Sequence, residues 1–214
     1  MYINITKKHI LTFSIIIGII VTYILSGDRE NDTDIQNDIA KKVIRFHVLA
    51  NSDSEEDQTL KLKVKDSVVD YLNPYMSESE SLEESKKILA EHTDDIMAVA
   101  NEVISTEGYN YSVNAYFCED FFPTKSYGDV TLPAGDYTAF RIEIGEHEGK
   151  NWWCILYPPL CFVDATYGVL PDESKDLLRN VLDEDEFDAV TGNISSDNTQ
   201  FRFKFLPFLN ELLE

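Results

Sequence analysis

The stretch that decides the fold is Gly145-Glu-His-Glu-Gly-Lys-Asn-Trp-Trp-Cys-Ile-Leu-Tyr-Pro-Pro-Leu-Cys-Phe-Val-Asp164. It holds both tryptophans of the chain and two of its three cysteines. The run from Trp152 to Tyr157 is aromatic, apolar and too short for a buried helix, so it predicts a β-strand. Pro158 and Pro159 cannot donate a hydrogen bond to a sheet, and we expect them to end that strand sharply.

This run has two interpretations. It is a core strand with a tight exit, or its Trp and Tyr rings form a binding face, since such rings contribute strongly to interfaces. Just upstream, residues 137–144 alternate between apolar and polar side chains and predict another strand. The Gly-bounded turn at residues 145–149 separates the two strands, so they are expected to pair as a hairpin.

The N-terminal region contains an uncharged, mostly apolar run at residues 10–25, preceded by Lys7 and Lys8. At about 16 residues it is close to the length of a membrane span and longer than the usual apolar part of a signal peptide. Lysines before it and acidic residues after it predict a cytoplasmic N-terminus with the rest of the chain outside. No A-x-A-like cleavage site follows, which favours an uncleaved anchor. The expected organisation is a signal peptide or membrane anchor at residues 1–26, a linker or short helical lead-in at 27–42 and one folded domain at 43–214.

Within that domain, residues 43–50 are rich in β-forming residues and predict a strand. Ser52 with Glu55, and Ser54 with Asp57, have the spacing of capping boxes that open a helix, which Pro74 is expected to end. Apolar residues at helical spacing predict a second long helix over residues 81–105. Further strands are expected at 109–117 and 201–205, and an acidic helical segment, as one helix or two short ones, at 171–188.

Strands and helices are segregated along the chain, which indicates the α+β class. We therefore expect a single domain with a mixed or antiparallel sheet and two long helices, preceded by an N-terminal membrane segment.

Composition and motifs exclude several classes of function. A net charge of −21 and a pI near 4.4 argue against binding to nucleic acid or to an anionic lipid surface. The chain has no G-x-S-x-G, H-E-x-x-H, P-loop or G-x-G-x-x-G motif. The histidines lack metal-ligand spacing relative to one another, and His47, within a predicted strand, is more typical of a core or edge residue than of a base. No catalytic residue, metal site or cofactor is expected.

Three cysteines in an exported domain would lie in a compartment that permits disulfides. Cys154 and Cys161 could bridge across the Pro-Pro turn, which would leave Cys118 as the odd thiol. Alternatively, all three are reduced and buried.

Four runs of the chain resemble the stage II sporulation protein R family of endospore-forming bacteria. They are Ile44-Arg-Phe-His-Val-Leu-Ala-Asn-Ser-Asp-Ser-Glu-Glu-Asp-Gln58, Phe122-Pro-Thr-Lys-Ser-Tyr-Gly128, Leu132-Pro-Ala-Gly-Asp-Tyr137 and Asn151-Trp-Trp-Cys-Ile-Leu-Tyr-Pro-Pro-Leu-Cys-Phe-Val-Asp164. The resemblance covers residues 43–164, with a looser similarity at 201–213. Cys118 and His147 depart from the family pattern.

The resemblance implies a signalling role rather than an enzymatic one. Members of the family are made in the forespore and exported into the space between the two septal membranes. There they are required to activate a membrane-embedded aspartic protease of the mother cell, which cleaves the precursor of sigma-E. The partners implied are the extracytoplasmic part of that protease and, through the N-terminal segment, the membrane.

Docking on the protease is the mechanism that this role predicts. The expected docking face is the rim of the Trp hairpin and its neighbouring loops, with the turn at Asn51 and Asp53 as a second candidate. The hairpin-face residues are Tyr127, Pro133, Asn151, Trp152, Trp153 and Tyr157. An exported enzyme that acts on cell wall or peptide in the septal space is the alternative, with His47, Asn51 and Asp53 lining a cleft. An anchored extracellular binding module unrelated to signalling is a third.

Overall fold

The computed structural model describes residues 7–161 and 169–192; within the first helix it describes the side chains at positions 12–22 and from 34 onwards. The strand expected at 201–205 lies outside the described residues. The helices are α1 (Lys7–Lys42), α2 (Glu55–Met76), α3 (Leu82–Glu91), α4 (Thr93–Thr106), α5 (Asp172–Val181) and α6 (Glu184–Thr191). The strands are β1 (Ile44–Leu49), β2 (Val113–Phe122), β3 (Lys125–Tyr127), β4 (Val130–Leu132), β5 (Gly135–Ile144) and β6 (Asn151–Tyr157).

The main sheet has the order β2-β5-β1-β6, and β3 and β4 form a separate small hairpin. β1 runs parallel to β5 and antiparallel to β6, while β2 and β5 are antiparallel. This arrangement confirms the predicted α+β class and mixed sheet.

The predicted hairpin between β5 and β6 is wrong, because β1 lies between them. Every residue of β1 is buried, and a strand that is buried on both faces favours the middle of a sheet, where both of its edges are paired. The connection from β5 to β6 instead crosses the end of β1. Its backbone is held there because Gly149 N–H donates to the Ala50 carbonyl at 3.0 Å.

Side-chain alternation along the strands divides the core into two layers. Ile44, Phe46 and Val48 of β1 pack with the core beneath α2, α3 and α4. On the other face, the core contains residues from the end of α1, from β4 and from α5 and α6. Arg45 and His47 belong to this second face, because they alternate with the apolar residues of β1.

The helix after β1 begins where the capping pattern predicts, since the Ser54 side chain accepts a hydrogen bond from Asp57 N–H. It does not end at Pro74, which lies inside it. A proline removes the donor that would reach the carbonyl four residues earlier. That residue, Asp70, is exposed, so water can take the place of the missing donor.

The long helix expected over residues 81–105 is two helices, α3 and α4, which meet at His92. His92 has φ −98° and ψ 7°, outside the helical region. Leu89 before this break and Ile96 after it are both fully buried. The acidic segment downstream forms two short helices, α5 and α6, which is one of the two forms that its sequence predicts.

At the N-terminal end, residues 27–42 belong to α1, so they take the helical one of the two forms that their sequence predicts. Ile39 is fully buried against the second face of the sheet, so the folded region begins before Val43. Lys42 fixes this end of α1 through salt bridges to Asp183 and Glu186, both at 2.7 Å. In the part of the chain that the structure describes, no helix combines the length and the apolar character needed to cross a membrane.

Candidate functional site

The two tryptophans of β6 lie on opposite faces of the sheet. Trp152 meets Phe46 edge to face, with ring centroids 6.0 Å apart, and Lys65 Nζ lies 4.8 Å from the Trp152 ring. Trp153 stacks on His47 on the other face, with centroids 5.2 Å apart and an interplanar angle of 20°. The two rings therefore do not form one aromatic face.

Three other residues predicted for the docking face have internal roles. Tyr157 is only 9% exposed and packs in the core beneath the helices. Tyr127 accepts a hydrogen bond from the Arg45 guanidinium at 3.1 Å, and the Pro133 carbonyl accepts one from the Tyr137 hydroxyl at 2.7 Å. Asn151, the first residue of β6, is half-buried opposite Leu49.

The turn at Asn51 and Asp53 fastens β1 to the connection between β5 and β6. Asn51 Oδ1 accepts a hydrogen bond from Glu146 N–H at 3.0 Å, and Asp53 Oδ1 accepts one from Lys150 N–H at 2.7 Å. Gly145, at φ +59°, passes so close to the Asn51 side chain that a Cβ there would collide with it. The polar residues of this turn therefore hold a loop in place.

The first turn of α2 completes this fastening. Asp57 is 5% exposed and accepts hydrogen bonds from Ser52 Oγ at 2.6 Å and Asn51 Nδ2 at 2.9 Å. Burial alone would raise the pKa of Asp57, but the hydrogen bonds from Ser52 and Asn51 outweigh it, and the pKa lies below its ordinary value. Lys61 donates to the Lys150 carbonyl at 2.8 Å from the next turn of the helix.

The structure joins Cys154 and Cys161 in a disulfide, with their Cα atoms 5.6 Å apart. Cys118 is a free, half-buried thiol on β2. Burial raises the pKa of that thiol, and the charge of Asp120 raises it further.

A group of polar side chains, which we call the polar cluster, lies on the second face of the sheet. Its members are His47, Tyr116, Cys118, Asp120, Arg141 and Glu143. Arg141 bridges two carboxylates, with NH1 3.0 Å from Asp120 Oδ2 and NH2 2.9 Å from Glu143 Oε1. The Tyr116 hydroxyl also donates to Glu143 Oε1, at 2.8 Å.

His47 is the deepest member of the polar cluster, with a side chain only 1% exposed. Burial lowers its pKa to about 4, against the opposing effect of the Asp120 charge, so the imidazole is neutral at neutral pH. Neither ring nitrogen forms a hydrogen bond to any described residue, although Nε2 lies 3.4 Å from Asp120 Oδ2. Trp153 and Phe122 hold the ring, each with its centroid 5.2 Å from that of the imidazole.

Arg45 is a second buried polar group on this face. It is fully buried, and burial lowers its pKa. Its guanidinium carbon lies 4.3 Å from the centroid of Phe122 and 4.9 Å from that of Tyr137, so aromatic faces provide much of its electrostatic stabilisation.

The three residues considered for an enzymatic cleft have different surroundings. His47 lies beneath the second face of the sheet beside Asp120. Asn51 and Asp53 are bonded to the loop that crosses the end of β1. Their contacts do not direct the three side chains at a common substrate.

The sequence reasoning missed the polar cluster because its members come from β1, β2 and β5, and β5 separates the other two strands. One signal was present. Tyr116, Cys118 and Asp120 are spaced by two residues, as are Arg141 and Glu143, and this spacing places each set on one face of its strand.

The family model of stage II sporulation protein R matches residues 40–167. The chain belongs to this family. It is 40% identical over 138 residues to the stage II sporulation protein R of Bacillus subtilis (strain 168), which is 64% of this chain and 62% of that protein. No solved structure matches the chain significantly. The match confirms the resemblance found in the four runs, and its range includes the main sheet, α2 to α4 and the polar cluster.

Proposed function

We propose that this chain is an exported sporulation signalling protein that activates the membrane-embedded aspartic protease cleaving the sigma-E precursor in the mother cell. The observation that carries the proposal is the family match over residues 40–167, which spans the whole main sheet and the helices on its first face. Family membership supports a sporulation role, and the step from that role to protease activation is the part that needs an experiment.

Activation requires the signal to bind the active arrangement of the protease better than the inactive one. The free edge of β6 is the best-supported surface for this. Among the described residues, β6 pairs with β1 on one side and with no strand on the other. Such an edge can receive an extended segment of a partner, whose backbone then extends the sheet.

Three half-buried side chains, Asn151, Trp152 and Trp153, lie along this edge strand and can contact the added segment from both faces. The net charge of −21 favours a segment that carries basic residues. The turn at Asn51 and Asp53 stabilises the start of this edge strand, because Asp53 accepts a hydrogen bond from the backbone N–H of Lys150, immediately before β6. Tyr127, Pro133 and Tyr157 contribute packing rather than contact with the partner.

The proposal also requires the chain to leave the forespore cytoplasm. Exposed apolar side chains between Phe13 and Val21 support an association of this part of α1 with an apolar surface such as lipid. Sporulating cells would be stripped of their cell wall with the membranes left intact, treated with an external protease and then fractionated. Digestion of the folded part would place it outside the cytoplasm, and protection from digestion would place it inside a membrane-enclosed compartment.

The test is processing of the sigma-E precursor in sporulating cells that depend on this chain. Trp152→Ala and Trp153→Ala are compared with Phe121→Ala, which removes an exposed aromatic ring from the strand at the opposite edge of the sheet. Reduced processing is expected in both Trp variants and normal processing in the Phe121 variant, with equal amounts of exported protein in all three.

One further variant leaves both tryptophans in place, so its effect does not depend on the loss of their packing. Asn151→Arg places a positive charge on the proposed docking edge without removing an aromatic ring, and it should also reduce processing. Normal processing in the Asn151 and both Trp variants would contradict docking at β6. The enzymatic alternative is tested with Asp53→Asn, which changes one of its candidate residues. If this variant still supports processing of the sigma-E precursor while the β6 variants do not, docking is supported and the enzymatic alternative is contradicted.

A further inference from the structure

The polar cluster contains a set of metal-ligand donors that the proposed docking at β6 does not involve. His47, Cys118 and Asp120 each offer one ligand atom, and these atoms all lie within 4.8 Å of one another. Cys118 and Asp120 are two residues apart on β2 and so share a face, while His47 reaches towards them from β1. On the intervening strand β5, Ala139 stands opposite Cys118, and its small side chain leaves space for the three to meet.

From this geometry we propose that His47, Cys118 and Asp120 form a transition-metal site that binds Zn²⁺. Imidazole, thiolate and carboxylate are the donors that Zn²⁺ accepts in proteins, whereas Mg²⁺ and Ca²⁺ prefer oxygen alone. Three protein ligands leave a fourth tetrahedral position for water or another ligand.

The unsatisfied state of His47 is an independent observation that points to a ligand. Both of its ring nitrogens are buried without a hydrogen-bond partner among the described residues, and a buried polar group in that state is costly. Nε2 and Asp120 Oδ2 are 3.4 Å apart, which is long for a hydrogen bond but close to the edge of a zinc tetrahedron, about 3.4 Å for typical Zn–N and Zn–O bonds.

The charges around the site are two cations, Arg141 and Arg45, and two carboxylates, Asp120 and Glu143. Arg141 donates to Asp120, but its other nitrogen is paired with Glu143, so these two charges offset each other. Hydrogen bonds to a ligating carboxylate are usual in metal sites, because they hold the ligand in position. When the Zn–S bond forms, Cys118 releases its thiol proton to solvent, and the thiolate and the Asp120 carboxylate together balance the charge of Zn²⁺.

The first test measures metal binding by the purified full chain with its disulfide intact. Zn²⁺ is titrated in competition with a chromophoric chelator, and Co²⁺ is added separately as a spectroscopic substitute. One equivalent of tightly bound Zn²⁺ is expected, together with a cobalt–thiolate charge-transfer band. Because Cys154 and Cys161 are paired, a thiolate band from the described part of the chain reports on Cys118.

Variants then assign the ligands. Cys118→Ser should abolish the thiolate band and weaken Zn²⁺ binding at least about 100-fold, more than the usual effect of changing an outer-shell group. Asp120→Asn should weaken binding but keep the band. His92→Gln is the matched control, because His92 is half-buried between α3 and α4 beside Tyr71, Tyr75 and Asp95, away from the polar cluster, and this variant should bind Zn²⁺ as the unchanged chain does.

A measurement on the unchanged chain avoids any dependence on variant folding. Zn²⁺ should slow the alkylation of Cys118 in proportion to the occupied fraction of the site. The proposal is overturned if the chain binds no stoichiometric Zn²⁺, if the cobalt spectrum lacks a thiolate band, or if Zn²⁺ leaves the alkylation rate unchanged.

Discussion

Trp152 and Trp153 are adjacent in the chain, yet Trp152 packs on Phe46 beneath the helices and Trp153 stacks on His47 on the opposite face of the sheet. Alternation along β6 makes this separation unavoidable. The two tryptophans therefore anchor the edge strand in both layers of the core. Replacing one ring should affect mainly the layer in which that ring packs.

Replacing Trp152 should test its contribution to the helix-facing core. Trp152→Ala removes the contact with Phe46 and the cation–π contact with Lys65, and because the ring is half-buried we expect a loss of about 2 kcal/mol in the free energy of unfolding. Urea unfolding followed by circular dichroism measures the loss. Lys65→Gln is the control, with an expected cost below about 1 kcal/mol; equal effects of the two variants would contradict this account of the packing.

Gly149 should tolerate no side chain. A Cβ at this position would lie against the Ser52 carbonyl and the Ala50 side chain, which are held by the crossing over β1. Gly149→Ala is therefore expected to lower the free energy of unfolding by about 2 kcal/mol. Gly108→Ala provides the comparison, because Gly108 has φ +85° with open space around it and should cost only about 1 kcal/mol. A smaller loss of unfolding free energy for Gly149→Ala than for Gly108→Ala would contradict this prediction, because it would show that the loop over the end of β1 can shift to accommodate a side chain.

Acid should weaken the fastening of β1 to α2. The pKa of Asp57 is below its ordinary value of 3.8 in the folded chain, so the ionised form contributes stability above pH 3.8. This contribution is lost as the pH falls through the folded pKa. We expect the difference in unfolding free energy between the unchanged chain and Asp57→Asn to be largest near neutral pH and to shrink below pH 3.8. A difference that stays constant down to the acid transition would contradict a role for the charge.

The disulfide between Cys154 and Cys161 closes a short loop around the two prolines. Loop-closure entropy for a sequence separation of 7 predicts that reduction lowers the free energy of unfolding by about 2.5 kcal/mol. Denaturant unfolding with and without a thiol reductant measures this difference. A variant with both cysteines changed to Ala should unfold identically in the two conditions, and a reductant effect that persists in it would assign the stabilisation elsewhere.

Local patterns predicted much of the fold. Alternation and β-propensity identified the strands at β1, β5 and β6, and the Ser54–Asp57 spacing located the start of α2. These features depend on interactions within a few residues, which the order of amino acids specifies directly. The break at His92 and the continuation of α2 past Pro74 were missed, because both depend on burial or exposure in the assembled core.

The candidate site was less accessible to sequence reasoning. Adjacent tryptophans suggested one aromatic face, but strand geometry assigns them to two. His47 is far in sequence from any residue with which it could form a recognisable metal-binding motif. In the folded chain, however, its ring lies close to Cys118 and Asp120. The polar residues of the Asn51–Asp53 turn suggested docking, and the structure shows them bonded to the loop before β6.

The sequence by itself determined the class of the fold, the capped start of α2 and membership of the stage II sporulation protein R family, since each follows from patterns that can be recognised along the chain without its tertiary contacts. Only the tertiary structure decided that β1 lies between β5 and β6, and with it which side chains meet on each face. The physical reason is that a fully buried strand must satisfy both of its edges and both of its faces with partners distant in sequence. That one placement gives Trp152 and Trp153 their partners Phe46 and His47, and it brings His47 close to Cys118 and Asp120.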